Sequence, residues 1–118
     1  MTTTAELIET SRVLEQASQS LARDTLWSPE NLTPAAIGAV LANIATLAAT
    51  LPQILEQLSR SLEQALTEQF LQVEDKTDAS EPARLVDAAC DLLAQGRATA
   101  VDLHGRIHGA HDQIAPLI

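Results

Sequence analysis

Along residues 33–75 apolar side chains recur in a four-then-three rhythm: Ile37, Leu41, Ile44, Ala48, Leu51, Leu55, Leu58, Leu62 and Ala65. A second row, Val40, Leu47 and Ile54, widens the stripe. Such spacing gathers side chains on one face of an α-helix and predicts a long helix, buried along most of its length. Thr33 is the expected cap, with Pro34 at the first helical position, where its missing N–H costs nothing. Pro52 then stands inside the pattern. Its ring should clash with the carbonyl of Ala48 and remove a hydrogen bond, at a cost of about 3 kcal/mol. Either the helix kinks there, or it ends and restarts with Thr50 and Gln53 as a capping box. The rhythm keeps its phase through Pro52, which favours a kinked, continuous helix.

Before this stretch, Thr4 is the expected cap of a first helix, with Glu6 in its first turn and an end near Thr25. Leu7, Val13 or Leu14, Ala17 and Leu21 mark its apolar face. Trp27 follows, then Ser28, Pro29 and Asn31, which read as a loop. Trp27 is expected to close a junction between helices; as an exposed anchor for a partner it would be a hot spot. After the central stretch, residues 73–79 are charged and polar and read as a loop. Ser80 should cap a last helix, with Glu81 and Pro82 in its first turn. Leu85, Ala89, Leu92, Leu103, Ile107 and Ile114 fall on one side of it, with Gly96 among them. Gly105 and Gly109 weaken its end by up to about 1 kcal/mol each, and Pro116 must lie outside it.

The expectation is an all-α fold: one domain over residues 1–118, an elongated helical bundle of three long helices, the central one kinked at Pro52. A break between Thr50 and Pro52 would give a four-helix bundle instead. The heptapeptide SRVLEQA at residues 11–17 recurs as SRSLEQA at residues 59–65. The same offset aligns Pro34 with Pro82 and Ile44 with Leu92. That is what a duplicated helical hairpin would leave, and also what two Leu-Glu-Gln-Ala helices share by composition.

Composition agrees with helices. Hydrophobic residues make up 46% of the chain, yet it has one Phe, one Trp and no Tyr, so Ala and Leu dominate and a sheet is improbable. The formal charge of -9 repels nucleic acid and anionic membrane surfaces. The uncharged residues 31–55 are long enough to span a bilayer. Asn43, Thr46, Thr50, Pro52 and Gln53 make them a poor span, and no Lys or Arg cluster flanks them to set an orientation. No basic region followed by an apolar run opens the sequence, so the cytoplasm is the expected location.

Candidate chemistry is sparse. Cys90 is the only cysteine, which excludes a disulfide framework or thiolate zinc site, and it reads as a small buried hydrophobe. His104, His108 and His111 lie within about 60° of one another on a continuous helix. Two histidines one turn apart can share a metal ion, and Asp112 could add an oxygen. Three solvated histidines beside an apolar stripe would leave the same spacing, and no glutamate completes an HExxH motif. No nucleophile–base pair, phosphate loop or paired-carboxylate motif is visible. In size the chain is similar to the small acidic helical hairpins of the WxG secretion type. Their motif fails here, because Trp27 is followed by Ser28 and Pro29 rather than x-Gly, and there is no Tyr for their tail signal.

The sequence therefore points to a non-enzymatic protein without cofactor that binds another helical protein, most simply as a homodimer. Its expected interface is Ile37, Leu41, Ile44, Leu51, Leu55, Leu58 and Leu62. The alternative is a metal- or small-ligand-binding regulatory protein that uses His104, His108 and His111.

Overall fold

The computed structural model describes residues 1–68 and 81–118. They form three long helices and no strand among the described residues: α1 (Thr4–Trp27), α2 (Pro34–Glu68) and α3 (Glu81–Ile114). Single 3-10 turns follow α1, at Pro29–Asn31, and α3, at Ala115–Leu117. The expected continuation of the central helix towards Asp75, the loop at 73–79 and the cap Ser80 lie outside the described residues. The chain divides into two compact units, Met1–Ile37 and Gly38–Ile118.

In the first unit α1 is capped by Thr3, one residue earlier than Thr4. The reason is a spacing of three: Thr3 Oγ1 accepts from the Glu6 N–H at 3.1 Å, and Glu6 Oε2 accepts from the Thr3 N–H at 3.1 Å. This reciprocal box satisfies two donors that Thr4 could not reach with the same partner. At its other end α1 runs to Trp27, where the Ser28 N–H closes on the Asp24 carbonyl at 3.0 Å. Pro29 forbids α-geometry at Ser28 and so stops the helix. Trp27 is 74% exposed, so it does not close a helix junction as expected. None of the residues of α1 is buried.

The second unit is a helical hairpin. α2 begins as expected: the Thr33 hydroxyl accepts from the Ala36 N–H at 3.2 Å and Pro34 takes the first helical position. It continues through Pro52. Thr50 Oγ1 donates to the Thr46 carbonyl at 2.9 Å and so does not cap a new helix, which removes the four-helix alternative. Thr46 makes the same back-bond to Ala42, at 3.1 Å; paired back-bonds of this kind bend a helix gently. Ala45 and Ala48, in the turn before Pro52, are among the most buried residues of the protein. That packing offsets the lost hydrogen bond.

α3 returns antiparallel to α2. Cys90 Sγ meets the Ser59 carbonyl at 3.7 Å, and Gly96 lies against Leu55. Gly38 faces Ile118 so closely that a Cβ there would overlap it. As one residue number falls the other rises, which fixes both direction and register. The buried residues are small or compact: Gly38, Ala45, Ala48 and Ser59 from α2, with Pro82, Val86 and Ala100 from α3. This corrects the apolar face expected for α3. Leu85, Leu92 and Leu103 are exposed, because α3 turns its Val86 and Ala100 edge rather than its leucine edge towards α2. Close backbone approach needs side chains that do not hold the helices apart. Pro116 lies past the end of α3, as its lack of an N–H requires.

Candidate functional site

With α3 seated on the small-residue edge, the hairpin has two different flanks. At 100° per residue, Val40, Leu47, Ile54 and Leu58 lie about 80–120° to one side of Ala48. Ala42, Thr46, Ala49 and Gln53 lie to the other side. On α3, Leu85, Leu92 and Leu103 lie about 60–80° to one side of Ala100 and His104 and His108 to the other.

The two sets of the second kind meet. Ala42, Ala45, Thr46, Ala49, Thr50 and Gln53 line a groove of about 420 Å³ together with His104, His108 and His111. The leucines of both helices therefore share the opposite flank. In the register set by Ser59–Cys90 and Leu55–Gly96, Leu58 stands across from Leu92 and Leu47 across from Leu103. Leu58 is 52% exposed and Leu92 66%, and Leu103 is exposed beside the half-buried Leu47.

The expected interface residues divide between these surfaces. Leu41, Ile44, Leu51, Leu55 and Leu62 are half-buried in the hairpin, whereas Ile37 and Leu58 are exposed. Sequence reasoning missed the small-residue seam, although Gly38, Ala45 and Ser59 recur at helical spacing beside the leucine stripe and carry that signal.

In the histidine groove the imidazoles of His104 and His108 stand one turn apart, with ring centroids 6.0 Å apart and planes tilted by 41°. The Asp112 carboxylate lies 3.3 Å from His108 Nδ1 and 3.7 Å from His111 Nδ1. Asp112 thus faces the histidines' Nδ1 atoms. No three His, Cys, Asp or Glu side chains among the described residues converge as a ready metal cage. Cys90 is half-buried at the seam. Burial pushes its thiol pKa up, and the Glu63 and Asp87 carboxylates push it the same way. A thiol held protonated is a poor nucleophile.

α2 is also long and apolar enough to cross a membrane, with a mean hydropathy of 1.7 over its most apolar window. Comparison with family models, with curated proteins and with solved structures found no match for this chain.

Proposed function

We propose that this is a non-enzymatic helical protein that works by self-association through the leucine flank of its hairpin. The observation that supports this reading is the exposure of Ile54 and Leu58 on α2 and of Leu92 and Leu103 on α3, beside the half-buried Leu47. An isolated hairpin buries one edge of each helix and leaves this row in water. At about 25 cal/mol per Å² of apolar surface, covering even a few such side chains favours association by several kcal/mol. A second hairpin presents the same row, and two hairpins joined by their leucine flanks make a four-helix bundle.

The proposed partner is therefore a second copy of the chain, and another helical protein of matching surface would bind in the same way. The formal charge of -9 keeps the reading away from nucleic acid. The polar residues within α2 keep it away from the bilayer, so the cytoplasm is the proposed location.

Light scattering at micromolar concentration tests this. A dimer is expected for the natural chain and a monomer for a Leu58→Lys, Leu92→Lys double variant. Both positions are open to solvent, so the variant should keep its helical circular dichroism. A monomeric natural chain, or a double variant that still dimerises, would sink the reading. Flotation of the natural chain with lipid vesicles would show that α2 meets a membrane instead.

A further inference from the structure

The histidine flank carries a different activity. We infer that His104 and His108 form a two-imidazole site for a divalent transition-metal ion at the mouth of the groove, with Asp112 as a positioning residue. Four observations meet here.

The first is distance. An ion about 2.0–2.1 Å from one nitrogen of each ring sits about 3.2 Å from each ring centroid. Near-tetrahedral ligand–metal–ligand angles of about 105–115° then correspond to centroid separations of about 5.1–5.4 Å. The observed 6.0 Å is within about 1 Å of that, a gap that rotation of the exposed His108 ring towards the half-buried His104 ring closes.

The second is orientation. Metal-bound histidines commonly donate their other ring N–H to a carboxylate, which fixes the tautomer and strengthens the ligand. The Asp112 carboxylate stands at Nδ1 of His108, at 3.3 Å. That leaves Nε2 of His108 as the ligand atom. Asp112 is occupied in this way as a partner of the ring and not as a ligand.

The third is the groove itself. Its wall of Thr46, Ala49 and Gln53 gives room for water or a small donor ligand to fill the remaining coordination positions. Thr46 spends its hydroxyl proton on the Ala42 carbonyl, which leaves its oxygen lone pairs to accept from such a water. The fourth is charge. The formal charge of -9 concentrates cations around the protein.

Imidazole ligands select zinc, copper(II) and nickel over magnesium and calcium. A site with two protein ligands is an exchangeable one: it can take up, sense or pass on an ion, and does not hold the fold together as a closed four-ligand site does. It lies on the flank opposite the leucine row, so it stays open whether or not the chain dimerises.

Calorimetric titration of the natural chain with zinc and with copper(II), and with magnesium as control, tests the assignment. One ion per chain is expected, copper tighter than zinc, and no heat from magnesium. His104→Ala and His108→Ala should each weaken zinc binding by at least about 10-fold, and Asp112→Asn by about 10-fold to 100-fold. His111→Ala should change it by less than about 3-fold. All four side chains are at the surface, and circular dichroism should show unchanged helicity. Equal heats from the natural chain and a His104→Ala, His108→Ala double variant would overturn the site. An unchanged affinity in Asp112→Asn would overturn the positioning role, and a large loss in His111→Ala would overturn the two-ligand assignment.

Discussion

Residues 11–17 and 59–65 differ at one position, Val13 against Ser61, and yet they live in different surroundings. In α1 the Ser11 hydroxyl donates to the Ile8 carbonyl at 2.7 Å and is open to water. In α2 Ser59 is 6% exposed, and its hydroxyl has no hydrogen-bond partner among the described residues. Leu14 is exposed, whereas Leu62 is half-buried. The two arginines behave alike: Arg12 pairs with Glu9 at 2.9 Å and Arg60 with Glu56 at 2.8 Å, both at the surface. Local sequence thus decides the helix and its surface ion pairs. Which residues are buried is decided by what packs against that helix, and for Ser59 this is α3.

The contrast can be broken most severely with a charge. Ser59→Asp places an unpaired carboxylate in the seam beside Cys90 and should cost at least about 3 kcal/mol. Ser11→Asp, in the matching position of α1, should stay within about 0.5 kcal/mol. Urea midpoints followed by circular dichroism measure both; equal losses would mean that the hairpin seam does not hold Ser59.

Pro52 gives the next effect. Counted by the repeat, it corresponds to Thr4, where α1 begins, so the same place starts one helix and lies inside another. Pro52→Ala restores an N–H for the Ala48 carbonyl. It should stabilise the protein by about 1–3 kcal/mol with no change of oligomeric state. A lower melting temperature, or larger species on size exclusion, would show that the hairpin depends on this proline.

A milder change sharpens the same comparison. Ser59→Ala removes a buried hydroxyl that lacks a partner and should raise stability by about 1 kcal/mol. Ser11→Ala should change it by a few tenths, since a solvated hydroxyl loses little. The smallest effect belongs to Gly109, which has open space around its missing Cβ. Gly109→Ala should add about 0.5–1 kcal/mol of helix stability, read as a small rise in thermal midpoint.

Much of the fold was legible in the sequence because helix signals are local. The apolar rhythm, Thr33 with Pro34, the position of Pro116 and the unbroken phase across Pro52 each report a single stretch of backbone. The orientation of α3 was not legible, because hydrophobicity ranks leucine above alanine while close helix approach ranks them in reverse. Leu85, Leu92 and Leu103 looked like the core for that reason, and Ala100 with Val86 took the place. The histidines were visible from their one-turn spacing. Their shared groove with Thr46 and Gln53, and the Asp112 carboxylate at Nδ1, depend on the register between two helices, which no single helix encodes.

Trp27 sets how the protein can be watched. It is the sole tryptophan, and the chain has no tyrosine, so near-ultraviolet emission comes from the exposed end of α1 alone. The hairpin that carries both flanks has neither tryptophan nor tyrosine to report on it. A fluorescence melt would report the first unit while the hairpin opened unseen, and agreement between probes, the usual check on two-state unfolding, becomes a comparison between two parts of the molecule. A tryptophan introduced at the exposed Leu103 would give the hairpin its own signal.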